Sequence, residues 1–146
     1  MAGDKQWIHR AQRGWDSSDG HDTSEKNRIA VLLRNNNIRH YPLFDQVIFI
    51  NKQTHLWVMQ QPEGYTSKEE LWRDYEIFKP DLFFPLKNLI IEIDGDFHFN
   101  TKKGVKQTNK RNEWYEYAGI KLIWYEAKAL KAMSDAELFL DLVDRL

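Results

Sequence analysis

Cysteine is absent from all 146 residues. That removes disulfides and thiolate-bound zinc, and it is compatible with a reducing compartment. No apolar run approaches the length of a membrane span, and residues 1–20 are too polar for a signal peptide. The expectation is therefore a protein that is neither membrane-embedded nor secreted, residing in the cytoplasm or on the nucleoid. Neither sign of charge is in excess, because 21 Lys and Arg stand against 22 Asp and Glu, leaving −1 at pH 7. Bulk charge thus gives no sign of a polyanion-binding protein. Internal repeats and low-complexity tracts are missing too. The 42% hydrophobic and 14% aromatic content supports one modest core, and the length suits one domain.

Residues 1–22 are rich in Gly, Asp, Ser, Arg and His and read as a flexible N-terminal arm, although Trp7 and Trp15 suggest that it docks somewhere. A single domain is expected over 23–146. Asp22 with Glu25 has the spacing of a capping box, and Ile29, Leu32 and Leu33 form a helical stripe that ends near Asn35. Val47–Ile50 and Leu56–Met59 read as strands joined by a turn, and Ser67 with Glu70 caps a short helix reaching about Asp74. Two further strands are expected at about 76–84 and 88–95. A helix follows from Val105 through Ala118, closed by Gly119, then a strand over Ile120–Tyr125 and a last helix capped by Ser134 with Glu137. The fold class is α/β, a mixed sheet flanked by helices.

The most informative stretch is Lys79-Pro80-Asp81-Leu82-Phe83-Phe84, followed by Leu89-Ile90-Ile91-Glu92-Ile93-Asp94-Gly95-Asp96-Phe97-His98. In a strand, residues two apart share a face, so Glu92 and Asp94 point together while Leu89, Ile91 and Ile93 pack behind them. The short link Pro85–Asn88 lets the two strands pair as a hairpin, which brings Asp81 next to Glu92. Carboxylates gathered this closely are costly unless a proton or cation neutralises them, and a hard divalent cation prefers such oxygens. Downstream, Lys102, Lys103, Lys106, Lys110 and Arg111 fall in a segment without acids. An acidic cleft beside a basic strip can bind a polyanion even when the summed charge is near zero.

In this order the residues resemble the PD-(D/E)XK nuclease superfamily over about residues 24–126. Pro80-Asp81 matches the first element and Glu92-Ile93-Asp94 the second, with Asp94 standing where a lysine is expected. Very-short-patch-repair endonucleases and the short nucleases similar to them look closest. The latter carry a Glu-X-Asp-Gly-X-X-His block, which Glu92 to His98 fits, then a helical arginine, a glycine and an apolar strand, which Arg111 and Gly119–Ile123 fit. Thr108 stands where their helix often carries an aspartate.

The resemblance implies a restriction-endonuclease-like core and a metal-dependent endonuclease that hydrolyses DNA phosphodiester bonds by nicking or double-strand cleavage. It implies that Asp81, Glu92 and the Ile93 carbonyl bind Mg²⁺ or Mn²⁺, and that Asp94 is a further ligand or orients a water. His98 becomes the candidate general acid or base in place of the missing lysine. Glu25 lies where a first-helix carboxylate completes such a site. Lys102, Lys103, Lys106, Lys110 and Arg111 are the expected nucleic-acid contacts, with Lys110, Arg111 or Lys121 available to stabilise the phosphate. A double-strand cutter would pair as a homodimer. Two rival readings stay open: a nucleic-acid-binding module of the same fold without catalysis, and an RNA-directed nuclease, since nothing in the sequence separates RNA from DNA.

Overall fold

A computed structural model describes residues 23–36, 42–95 and 100–146. The arm at 1–22, the Asp22 cap and His98 lie outside the described residues. The elements are α1 (Thr23–Asn35), β1 (Leu43–Phe44), β2 (Ile48–Asn51), β3 (Trp57–Val58), α2 (Lys68–Asp74), β4 (Tyr75–Phe78), β5 (Leu82–Phe84), a 3₁₀ turn (Pro85–Lys87), β6 (Leu89–Asp94), α3 (Lys102–Tyr117), β7 (Lys121–Glu126), α4 (Ala127–Ala132) and α5 (Asp135–Arg145). The architecture is mixed α/β. A four-stranded mixed sheet runs β1-β5-β6-β7, and a three-stranded antiparallel sheet runs β3-β2-β4. No helix among the described residues is long and apolar enough to cross a membrane.

β6 is the axis of the larger sheet. It pairs antiparallel with β5, placing Leu82 opposite Ile91, and parallel with β7, placing Glu92 opposite Trp124. Antiparallel pairing follows from the short link, in which Asn88 takes a left-handed conformation at φ 49°. Parallel pairing needs a crossover, and α3 supplies it. All six residues of β6 are buried, as befits a strand covered on both faces.

The two faces have separate cores. Leu82, Phe84, Leu89, Ile91, Ile93, Ile123 and Tyr125 pack against Ile29 and Leu33 of α1, Leu130 of α4, and Leu138 and Leu142 of α5. On the other face Phe83 and Ile90 meet Ile48 and Ile50 of β2 and Tyr115 of α3. Behind the smaller sheet, Val47 and Phe49 pack on Leu71 of α2.

Several expectations need correction. The segment at 76–84 is not one strand. It splits into β4, which pairs with β2, and β5, which pairs with β6, so the chain passes from one sheet to the other through Lys79-Pro80. Pro80 has no amide hydrogen to continue a ladder and holds its predecessor out of the helical region. The third helix starts at Lys102 rather than Val105, because the Thr101 side chain accepts from Gly104 N at 2.9 Å and caps it there. The short α4 and the two-residue β1 were not anticipated, being too brief to show a period.

Phe83 is fully buried and meets the Trp57 ring edge-on, with centroids 5.0 Å apart. Phe83→Ala is expected to cost about 3–5 kcal/mol, read as a lowered urea midpoint at unchanged slope.

Candidate functional site

The site gathers where β5, β6, β7, α1 and α3 meet. Pairing of Leu82 with Ile91 continues one step to set Asp81 opposite Glu92, and the two carboxylates close the end of the ladder. The Asp81 amide donates to Glu92 Oε1 at 2.9 Å, and the Ile93 amide donates to Asp81 Oδ2 at 2.8 Å. Each carboxylate thus takes the place of a backbone acceptor, which locks both side chains to the strand ends.

Arg111 supplies the largest counter-charge to the carboxylates of β6. Its Nη1 donates to Glu92 Oε2 at 2.8 Å and to Asp94 Oδ1 at 3.0 Å, and its Nη2 donates to Asp94 Oδ2 at 3.0 Å. Trp124, beside Glu92 in the parallel register, donates its indole Nε1–H to Asp94 Oδ2 at 2.7 Å. The guanidinium is itself oriented by Asn112, whose Oδ1 accepts from Nε at 3.0 Å. Only 1% of Asp94 and 8% of Arg111 is exposed, so this is an ion pair inside the protein rather than on its rim.

Helix α1 brings a second cation. Lys26, also buried, donates to Asp45 Oδ1 at 2.8 Å and lies 3.7 Å from Asp81 Oδ1. Its register is set by Arg28, which donates to the carbonyls of Leu130 at 2.8 Å and Met133 at 2.6 Å and to Asp135 at 2.8 Å, tying α1 to the junction of α4 and α5. Glu25 sits one residue earlier. Its Oε2 accepts no hydrogen bond among the described residues and lies 3.5 Å from Arg28 Nη1 in an ion pair.

Burial pushes the Glu92 carboxyl well up, opposed by Arg111 and reinforced by Asp81 and Asp94. For Arg111, burial works against the charge, but Glu92 and Asp94 outweigh it and hold the guanidinium firmly protonated. Burial likewise raises the Tyr115 phenol, which is enclosed beside Arg111 and whose hydroxyl has no hydrogen-bond partner among the described residues.

The expected site residues are therefore partly assembled. Asp81, Glu92 and Asp94 come together as anticipated, and Glu25 lies on the helix packed beside them. Arg111 is turned inward onto the acids, away from the position of an exposed nucleic-acid contact. Gly104, Thr108, Arg111 and Tyr115 form the buried stripe of α3, whereas Lys102, Lys106 and Lys110 lie on its far side. These three line an open groove of about 660 Å³ with Asn100, Thr101, Val105, Asn109 and Glu113. The lysines thus lie off the buried stripe through which α3 meets the acids. Lys103 is exposed, and Lys110 also pairs with Glu76 at 3.2 Å. Lys121 lies at the start of β7, 89–94 of β6 running parallel so that it pairs with Leu89 rather than with Glu92.

Lys26 and Trp124 are the contributors that sequence reasoning missed. Lys26 had a signal: it stands three, four and seven residues before Ile29, Ala30 and Leu33, on the apolar stripe, where a solvated lysine does not belong. Trp124 had none, since its role follows from the register of a parallel pair.

Carboxylate oxygens of this kind suit Mg²⁺ or Mn²⁺ in their chemistry, and Glu25 Oε2 is buried with an ion pair to Arg28 but no hydrogen bond among the described residues. Among the described residues, however, no group of three or more His, Asp or Glu side chains converges as a ready metal cage, and Arg111 already holds three of the oxygens. No family model matches the chain, and neither does any curated protein or solved structure.

Two outcomes test this electrostatic arrangement. Arg111→Met leaves two buried carboxylates without their guanidinium and should cost about 3–5 kcal/mol in urea unfolding, while pairing it with Glu92→Gln should recover part of the loss. Because Glu92 is held above its ordinary value of 4.5, the folded state binds more protons than the unfolded one in the window above that value. Its contribution to stability is present below pH 4.5 and is lost as pH rises through the raised value. The stability of wild type relative to Glu92→Gln should accordingly fall between acid and neutral pH.

Proposed function

We propose that this protein is a metal-dependent endonuclease acting on DNA, built on a restriction-endonuclease-like core of the very-short-patch-repair type. The observation that carries this reading is the facing of Asp81 and Glu92 at the end of the β5–β6 hairpin, each locked to the other's strand by a side chain-to-backbone hydrogen bond. The antiparallel hairpin, the α3 crossover and the parallel β7 agree with the core that the resemblance implies.

Asp81 and Glu92, with the Ile93 carbonyl, would hold Mg²⁺ or Mn²⁺. When bound, the ion supplies a nucleophilic water and stabilises the leaving oxygen. The protein's own groups do the rest. Lys26 sets positive charge beside Asp81, the service expected from the lysine that Asp94 replaces, and its ammonium can stabilise charge that builds on a phosphoryl oxygen. Trp124 orients Asp94 through its indole N–H. The lysine face of α3 offers phosphate contacts for the DNA backbone.

A second reading, a nucleic-acid-binding module without catalysis, is favoured by one observation: Arg111 neutralises Glu92 and Asp94 with no metal required. Supercoiled plasmid incubated with Mg²⁺ or Mn²⁺ separates the two. Cleavage lost in Asp81→Asn and Glu92→Gln, with both variants folded by circular dichroism, is the expected result. Lys26→Met should slow cleavage by ~100-fold. Cutting that survives in both carboxylate variants rejects the assignment, and no cutting by wild type on DNA or matched RNA supports the inactive module.

A further inference from the structure

Resting on the metal-binding reading of the site, we propose that Arg111 is a built-in competitor of the divalent cation: an intramolecular counter-ion that must leave Glu92 and Asp94 before a metal can be held there. The geometry points to exclusion rather than coexistence. Nη1 lies between the two carboxylates, 2.8 Å from Glu92 Oε2 and 3.0 Å from Asp94 Oδ1. The carboxylate oxygens that a divalent cation would draw on at Glu92 and Asp94 are thus the ones the guanidinium already occupies. Charge forbids the close approach as well, since a dication and a guanidinium repel strongly where water is scarce.

The acids do not compete equally. Glu92 and Asp94 give Arg111 three hydrogen bonds, two of them a parallel pair onto Asp94, the geometry that guanidinium groups prefer. Asp81 meets Lys26 at 3.7 Å, beyond hydrogen-bond length. Arg111, not Lys26, is therefore the cation whose departure controls the site. Held by Asn112 and fixed on the buried stripe of α3, it keeps the cluster folded and neutralised until an ion displaces it. The consequence is a site whose metal affinity is weakened by its own arginine.

Calorimetric titration of the full chain with Mn²⁺ tests this, using wild type, Arg111→Gln, Arg111→Lys and Asp81→Asn. Arg111→Gln should bind Mn²⁺ ~10-fold more tightly or better, with Arg111→Lys between it and wild type because a lysine cannot bridge both carboxylates. Equal or weaker binding by Arg111→Gln, while wild-type binding is abolished by Asp81→Asn, overturns the competition and leaves the metal site standing. No binding that depends on Asp81 in any variant overturns both. Should Arg111→Gln not fold, the wild-type protein gives the answer alone. Saturating Mg²⁺ should shift or broaden the Arg111 Nε–H resonance, and an unmoved resonance at saturation overturns the proposal.

Discussion

A guanidinium wedged between Glu92 and Asp94 is the interaction on which the rest of this structure depends. Strand β6 is buried on both faces, yet two of its six residues are acids. Without a cation at hydrogen-bond distance those acids would have to take up protons or expel the strand from the core. Arg111 resolves the conflict from a neighbouring element, and in doing so it fixes how α3 lies over the sheet. Its position on the inner stripe requires Gly104, Thr108 and Tyr115 to face inward with it, which in turn sends the lysines outward.

The same logic extends to the first helix. Lys26 lies buried against Asp45 and Asp81, and Arg28 binds α1 to the carbonyls at the end of α4. Each cation is long and flexible on its own, but its head group is held in place, Lys26 by Asp45 and Arg28 by two carbonyls and Asp135. The result is a network in which three carboxylates and two cations share one buried region. Such a network stabilises little relative to an apolar core, but it is intolerant of losing a single member. That intolerance is what holds the acids in register.

Burial of charge and the proposed hydrolysis make opposite demands on these acids. A hydrolytic site needs oxygens that can reach an ion, whereas the folded chain satisfies its oxygens internally, Asp81 and Glu92 through each other's strands and Asp94 through Arg111 and Trp124. Under the proposed exchange, the ion that displaces Arg111 would take over its role as counter-charge to Glu92 and Asp94.

Much of this was legible before the structure. Alternation in Leu89–Asp94 set Glu92 and Asp94 on one face, the four-residue link between Phe84 and Leu89 made β5 and β6 a hairpin, and Asp81 was thereby carried opposite Glu92. These are consequences of local geometry, a two-residue period and a short connection, which the chain carries within itself. Lys79-Pro80 was read through as part of one strand at 76–84; only the packed structure sends β4 to one sheet and β5 to another, since partner choice depends on residues far along the chain. Likewise the gathered carboxylates showed that a proton or cation was needed but not which would serve. Arg111 read as a nucleic-acid contact and Lys26 was passed over, because the identity of a buried counter-charge depends on which helix face meets which strand, and that is decided by tertiary packing alone.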